Sequence, residues 1–326
     1  MHDLACAVHV HSTYSDGTGT VAEIAAAAAR AGVDVVLLTD HDTLAARYAG
    51  AERWHGDVLV CVGEEITPRP GHHCLAFEVA HPIDHRGLAP AELVAAVADA
   101  GGFGILAHPF SSGSPRLRRL PAAGWDEPDQ PGAVGLELWS LVTDTAERLR
   151  SLPDALRLLA SPNAHPALDH PRPEAVAAFD RLAARRRVVA VGGLDAHQFG
   201  VRVGGRVPLR LVSYATALRM LTTHVLLDGP PSRDPARARD AVYAALRAGR
   251  CYLARDALAP PRGFACWADG PDRVELGGQA PADPRRTLHV RLPRPAALVR
   301  VLRDGVEVER AAGAAALDAP AAAPGA

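Results

Sequence analysis

Short apolar runs alternate with alanine-rich helical segments over the first 200 residues of this chain. Runs such as LACAVHV, VDVVLLT, DVLVCVG and RRVVAVGGL are typical of strands that are buried on both faces. The segments between them, such as TVAEIAAAAARAG and PAELVAAVADAGG, have helix-capping signals at their ends, including Pro90 at the start of the second. This alternation predicts an α/β fold built around parallel strands.

The character of the sequence changes after about residue 250, where short alternating runs are separated by turn residues. The sequence Arg303-Asp304-Gly305-Val306 contains an Asp-Gly hairpin signal between two such runs. We therefore predict an α/β domain over residues 1–250 and a small β-rich segment, packed on it, over residues 251–312. The Ala- and Pro-rich residues 313–326 are predicted to be disordered because their composition offers little to bury.

Composition excludes several classes of protein. The chain has 326 residues and a net charge of −2, so no surface for nucleic acid is evident. No apolar run approaches the ~18 residues of a membrane span, and the N-terminus lacks a signal-peptide pattern. The five cysteines show no CxxC spacing and are interpreted as reduced thiols of a cytoplasmic protein. The sequence leaves the oligomeric state open.

Nearly every predicted strand ends at a histidine or a carboxylate. Residues two apart in an extended strand share a face, so His9 and His11 are expected to project together. If the strands close into a barrel, their carboxyl ends meet on one face, where barrel active sites lie. A cluster of N and O donors without thiolates suits Zn, Mn or Fe. We therefore predict two or three divalent metal ions that share a carboxylate.

The motifs HVHSTYSDGT, LLTDHDT, VGEEIT, GHHCLAF, AHP and GLDAH occur in this order, and together they resemble the PHP (polymerase and histidinol phosphatase) family. The similarity covers roughly residues 4–200. It implies a distorted (β/α)7 TIM-like barrel with a trinuclear metal centre that acts mostly on phosphoesters. The β-rich segment after residue 250 would be an appendage to that barrel.

The resemblance also implies which side chains bind the metals. Glu65 is chosen over Glu64, and His73 over His72, because the residues that follow them fit the family pattern. Asp40 and Asp42 are expected to orient imidazoles, and Glu137 to have a packing or supporting role. The implied ligands of the first metal are His9, His11, Glu65 and Asp195, those of the second are Glu65, His73 and His108, and those of the third are Asp16, His41 and His197.

The function expected from this resemblance is hydrolysis of a small phosphoester, of nucleotide or sugar phosphate type, by a metal-activated hydroxide (EC 3.1 class). Catalysis is expected to depend on Asp195, Glu65 and His197. Arginines in loops near the strand ends could bind the substrate phosphate, with Arg116, Arg202 and Arg206 as candidates. Two alternatives stay open at this point: a carbamate or amide hydrolase that uses the same metals, and a non-catalytic metal-binding module.

Overall fold

The computed structural model describes residues 1–114, 122–149, 151–160, 169–200 and 210–321. The helices are α1 (Val21–Ala31), α2 (Ala45–Tyr48), α3 (Pro90–Asp99), α4 (Leu141–Arg148), α5 (Leu152–Ala160), α6 (Pro173–Ala183), α7 (Tyr214–Ala217) and α8 (Pro235–Arg247). The strands are β1 (His2–Val10), β2 (Val35–His41), β3 (Trp54–His55), β4 (Val58–Ile66), β5 (Cys74–Phe77), β6 (Phe103–Leu106), β7 (Gly135–Ser140), β8 (Val189–Ala196), β9 (Phe199–Gly200), β10 (Arg210–Leu211), β11 (Thr222–Leu227), β12 (Cys251–Ala254), β13 (Ala265–Asp269), β14 (Val274–Glu275), β15 (Thr287–Arg303) and β16 (Val306–Pro320).

Seven strands close into a barrel in the order β1-β2-β4-β5-β6-β7-β8, with β8 pairing back onto β1. The predicted α/β barrel is thereby confirmed. One strand differs from the expected parallel pattern, because β5 runs antiparallel to both β4 and β6. The reason is the short connection over residues 67–73, since a parallel crossover needs a dozen or more residues.

Alternate residues of each strand enter two separate hydrophobic layers. Val35 and Leu37 of β2 face the barrel interior, where they join one buried cluster with residues from β1, β4, β5, β6 and β8. Val36 and Leu38 face outward into a second cluster that includes Ile24 of α1 and residues of the other surrounding helices. Burial on both faces explains why the strands have nearly continuous apolar sequences. Helix α8 adds side chains to the interior cluster, among them Tyr243, whose ring centroid lies 5.5 Å from that of Phe77 and 5.6 Å from that of Phe103.

The sheet continues beyond the barrel through β11 and β12. β11 pairs antiparallel with the first half of β1, and β12 pairs antiparallel with β11. The strand β12 follows residue 250, so the sheet of the barrel domain extends past the boundary predicted from the sequence. A run such as CYLARD has the composition of a strand, but its sequence carries no signal for the edge on which it will pair.

The C-terminal segment forms a separate antiparallel sheet in the order β14-β13-β15-β16, which confirms the predicted β-rich appendage. The Asp-Gly signal lies at the β15–β16 turn, where Asp304 and Gly305 have φ angles of 52° and 76°. The prediction of a disordered tail is wrong for residues 313–320, because they form the second half of β16. Small alanine side chains bury little surface, yet their backbone groups still pair with β15. Residues 322–326 lie outside the described part.

His289 lies on β15. Its ring stacks on Trp267 and its Nδ1 lies 2.9 Å from an Asp318 oxygen, within the C-terminal sheet. Arg262 joins this segment to the barrel through Asp34, at 2.5 Å. Within the described residues, no helix has the length and apolar character that crossing a membrane requires.

A buried ion network ties β11 to β1 and to the residues after β12. The His224 side chain is fully buried, with Nδ1 2.6 Å from Asp3 Oδ1 and Nε2 3.3 Å from Asp256 Oδ2. Burial disfavours the cationic ring, but hydrogen bonds with Asp256 and Asp3 outweigh it and raise the pKa of His224 to about 9. His224 is therefore cationic at neutral pH and bridges two carboxylates.

This network should make stability depend on pH. Because the folded pKa of His224 exceeds the unfolded value of about 6.5, its stabilisation is complete below pH ~6.5 and is lost as the pH rises through about 9. We expect the difference in unfolding free energy between the native chain and His224→Gln to shrink by about 1–3 kcal/mol between pH 6 and pH 9.5. Urea unfolding at both pH values measures it. A difference that stays constant with pH would contradict this role for His224.

Candidate metal centre

All nine side chains implied as ligands lie at one end of the barrel, where they form three overlapping groups. His9, His41, Glu65 and Asp195 are carried by the ends of β1, β2, β4 and β8, and the remaining residues lie in the adjoining loops. His73 reaches the same rim although it precedes its strand, because β5 is reversed. Each group has its ligand atoms within 4.8 Å of one another: His11, Asp16, His41 and His197; His9, His11, Glu65 and Asp195; and Glu65, His73 and His108.

The Glu65 carboxylate lies at the junction of these groups and is 1% exposed. Its Oε1 is 3.0 Å from His73 Nδ1 and 3.1 Å from His108 Nε2. Its Oε2 faces three other imidazoles at 3.0–3.4 Å, those of His9, His11 and His41. The two oxygens therefore belong to different groups, which is the arrangement of a carboxylate that bridges two cations.

Irregular backbone directs several of these side chains. His9, His108 and Asp195 have positive φ angles of 66°, 28° and 51°. This region is uncommon for residues other than glycine, and such strain is concentrated at functional sites. In β1 the pairing register shifts between Val8 and Val10, as at a bulge. The shared direction of His9 and His11 therefore arises from a bulge at the rim. The regular extended strand predicted from the sequence is not present at this point.

Glu137, on β7, is the supporting residue whose position the sequence did not specify. Its Oε1 is 2.6 Å from His9 Nδ1, and its Oε2 accepts a hydrogen bond from the His108 backbone N–H at 2.7 Å. The carboxylate thus fixes the orientation of one imidazole and the backbone of another candidate ligand. A carboxylate behind a metal-binding histidine is a recurrent arrangement, because it fixes the tautomer of the ring. The signal for it was a carboxylate in the middle of the otherwise apolar run GLELW.

Electrostatics keeps Glu65, Asp195 and His11 in forms that can bind a cation. Burial opposes ionisation of Glu65, but the charge of His9 and hydrogen bonds with three further imidazoles hold its pKa well below the usual range. The pKa of Asp195 is also held well below its usual range, against the effect of burial, by His9 and His11. Burial and the neighbouring His197 lower the pKa of His11 to about 3. Ionised carboxylates and a neutral imidazole are the protonation states that metals require. The neighbouring carboxylates raise the pKa of four other imidazoles against the effect of burial, so these rings must lose a proton before they bind a metal; they are His9, His41, His108 and His197.

Several buried polar atoms in this site make no hydrogen bond of good geometry, although some of them face a carboxylate or imidazole partner at 3.0–3.5 Å. They include His9 Nε2, both ring nitrogens of His11, Glu65 Oε2 and His108 Nδ1. Polar atoms in a protein interior that lack such a bond are costly, and a bound cation would satisfy those that face the shared space. The donors in the three groups are nitrogen and oxygen without any thiolate. This set fits Zn, Mn or Fe, and the residues present therefore fit a metal centre.

The other candidate residues have different environments. Glu64 points away from the cluster and accepts a hydrogen bond from Ile83 N–H at 2.8 Å. His72 packs edge-on against Trp125, with its Nε2 3.5 Å from Asp126. Glu65 and His73 lie in the three groups of candidate ligands, while Glu64 and His72 do not. The phosphate-binding candidates Arg116, Arg202 and Arg206 lie outside the described residues.

The predicted role of Asp40 and Asp42 in orienting imidazoles is not what the structure shows. Asp40 accepts hydrogen bonds from the backbone N–H and hydroxyl of Ser12, both at 2.7 Å, and so fixes the loop after β1. Asp42 binds Thr67 and lies 3.3 Å from His85, which is outside the three groups. Both carboxylates thus bind rim loops, and these partners lie outside the three groups of candidate ligands.

Among the described residues of the site, solvent exposure differs from one side to the other. His9 and His11 are fully buried and form its floor. The side chains of His41 and Asp16 are 29% and 59% exposed, so they lie at the opening. A substrate would therefore approach from the side of Asp16 and His41.

The fold and the site together define an α/β barrel with a candidate multinuclear metal centre at the carboxyl ends of its strands. Residues 7–102 match the family model of the PHP domain, so the PHP resemblance noted in the sequence is confirmed over that segment. No curated protein is significantly similar to the chain in sequence.

Solved structures similar to this chain include three from different bacteria. A two-domain protein from Bacteroides vulgatus that contains a predicted PHP-like metal-dependent phosphoesterase is 15% identical, with 98% of this chain and 86% of that chain covered and a TM-score of 0.44. PsfC from Pseudomonas syringae is 16% identical, with 80% and 94% covered and a TM-score of 0.46. An amidohydrolase from Chromobacterium violaceum is 17% identical, with 59% and 87% covered and a TM-score of 0.35.

Proposed function

We propose that this protein is a metal-dependent hydrolase that cleaves a small phosphoester. The observation that carries the proposal is the Glu65 carboxylate, whose two oxygens face different groups of imidazoles at 3.0–3.4 Å. The match of residues 7–102 to the PHP domain supports the same conclusion. Neighbouring groups share Glu65 and His11, so cations held in them would be adjacent.

The residues that would hold the metals are His9, His11, Asp16, His41, Glu65, His73, His108, Asp195 and His197. Bound divalent ions would supply Lewis acidity, lower the pKa of water and offset charge on phosphoryl oxygens. Adjacent cations suit phosphoryl transfer, because its transition state carries charge on both the attacking and the leaving oxygen.

The side chains of the protein hold this arrangement rigid. Glu137 fixes His9, and Asp40 fixes the loop on which Asp16 lies. The buried floor at His9 and His11 limits water to the open side of the site, where Asp16 and His41 are exposed. A phosphoester that enters from that side would present its phosphorus to the cluster and leave its alcohol group toward solvent.

A hydrolysis screen tests the proposal. Purified protein is stripped with a chelator, reloaded with Mn, Zn or Fe, and assayed against phosphomonoesters, phosphodiesters, carbamate esters and amides. We expect phosphoester cleavage that disappears on chelation and returns with metal. Cleavage of carbamates or amides alone would contradict the phosphoester assignment, and the absence of any metal-dependent cleavage would identify a binding module.

A further inference from the structure

Helix α4 follows β7 without a connecting loop, and its first turn therefore lies beside the carboxyl end of β8. There the Thr143 hydroxyl donates a hydrogen bond to Asp195 Oδ2 at 2.8 Å. The other oxygen, Asp195 Oδ1, lies 3.5 Å from a ring nitrogen of each of three histidines, His9, His11 and His197. The two carboxylate oxygens thus have different partners, with Oδ2 bound by Thr143 and Oδ1 facing the cluster.

We propose that Thr143 is a positioning residue for the metal centre, which acts by holding Asp195 with a single oxygen directed at the site formed with His9, His11 and Glu65. This inference rests on the proposed metal centre and adds a residue to it. Within the described part of the chain, the Thr143 hydroxyl donates its hydrogen bond to Asp195, so its effect is transmitted through Asp195.

The backbone of Asp195 explains why such a partner is needed. Its φ angle of 51° lies in the left-handed region, at the point where β8 pairs irregularly with β1. A carboxylate on an irregular strand end can rotate about its side-chain bonds unless a second group holds it. A hydrogen bond to one oxygen removes that freedom before any metal arrives, which is the usual effect of an outer partner on a metal ligand.

Helix α4 is itself fixed at its other end, so Thr143 is held by a rigid element. Glu147 accepts hydrogen bonds from the Ser111 hydroxyl at 2.7 Å and from the Gly113 N–H at 2.8 Å. Asp144, in the middle of the helix, forms an ion pair of 2.6 Å with Arg172, which precedes α6. The helix is therefore anchored to the loop that follows His108 as well as to α6, and its position relative to the metal ligands is determined on two sides.

The same helix offers a matched control. Thr145 is buried, and its hydroxyl donates to the Leu141 carbonyl within the helix at 2.5 Å, without contact to the candidate ligands. Thr143→Val and Thr145→Val remove the same atom from the same helix, two residues apart. A general effect of losing a threonine hydroxyl should therefore appear in both variants.

The experiment measures metal affinity in the absence of substrate. Chelator-stripped protein is titrated with Mn²⁺ or Zn²⁺ in competition with a coloured chelator. We expect Thr143→Val to weaken one class of site by about 10- to 100-fold, with the remaining sites at native affinity. Thr143→Ser should restore the affinity because it keeps the hydroxyl, and Thr145→Val should match the native chain at every site. Thr143→Ala serves as a second variant if the valine fails to fold.

Native affinity at all sites in Thr143→Val and Thr143→Ala would overturn the proposal. Equal weakening of every class of site, or equal weakening by Thr145→Val, would also overturn it, since that pattern indicates a general structural effect. If the native chain binds no divalent ion, the proposed metal centre is contradicted, and with it the role of Thr143. If it binds ions normally but hydrolyses no phosphoester, the proposed function is contradicted. The role of Thr143 is then still decided by the metal titration of its variants.

Discussion

Glu65→Gln is expected to abolish tight metal binding by the two groups of ligands that share Glu65, and with it all metal-dependent hydrolysis. The substitution keeps the size of the side chain but removes the charge that five imidazoles surround at 3.0–3.4 Å. Two groups of candidate ligands share this carboxylate, so both should lose affinity together. The loss should exceed the roughly 10- to 100-fold that removal of an outer partner costs. Metal content after dialysis and a chelator titration measure it.

Glu64→Gln is the matched control, because it makes the same chemical change one residue earlier on the same strand. Glu64 points to the opposite side, and burial raises its pKa to about 7, so a neutral side chain already resembles its native state near neutral pH. We expect native metal affinity and an unfolding free energy within about 0.5 kcal/mol of the native value. If Glu64→Gln lost the metals while Glu65→Gln retained them, the assignment of the bridging carboxylate would be wrong.

Gly193→Ala should damage both the stability and the metal affinity of the protein, although Gly193 has no functional group. A Cβ at this position of β8 would lie 1.8 Å from Glu137 Oε1. The carboxylate has no room to retreat, because it is 1% exposed and is bonded to both His9 and the backbone of His108. Breaking these bonds and overpacking the interior should lower the unfolding free energy by about 2–4 kcal/mol. Metal affinity should fall by about 10- to 100-fold because His9 loses its orientation.

Gly229→Ala is the control for the glycine change, since an added Cβ there meets no atom within 4 Å. Its unfolding free energy should stay within about 0.5 kcal/mol of the native value. Combining Gly193→Ala with Glu137→Ala removes the clash, so the double variant should cost less stability than the sum of the single variants. Denaturant unfolding of the native chain, the two single variants and the double variant measures the four unfolding free energies. Additive costs would show that the clash with Glu137 is not the cause.

Much of the candidate site could be predicted because its residues lie where strands end. The motifs with His9, His41 and Asp195 each follow an apolar run, and a barrel brings such positions to one rim. The strand ends predicted that histidines and carboxylates would meet on one rim, and the PHP resemblance implied which nine side chains these are. The structure places the nine within three overlapping groups. Whether they bind metals, and how many, stays a prediction.

The supporting residues could not be predicted, because their partners are distant in the chain. Glu137 contacts His9 across 128 positions, and Thr143 contacts Asp195 across 52. No local spacing encodes such pairs. They depend on which strands become neighbours and on where the helix after β7 starts. The partner of Asp40 could not be predicted for the same reason. Asp40 was expected to orient an imidazole, but its carboxylate accepts a hydrogen bond from the Ser12 hydroxyl.

The amino-acid sequence by itself determined the alternation of strands and helices, the rim positions of the histidines and carboxylates, and the Asp-Gly turn of the C-terminal hairpin. These are local properties, encoded by apolar periodicity and turn chemistry within a few residues. Only the tertiary structure decided the reversal of β5, the pairing of β12 and the order of residues 313–320. The bulge that turns His9 and the contacts of Glu137 and Thr143 also depend on the tertiary structure. Each of these features requires a particular backbone edge or side chain to lie opposite, and distant segments provide that neighbour only when they pack together.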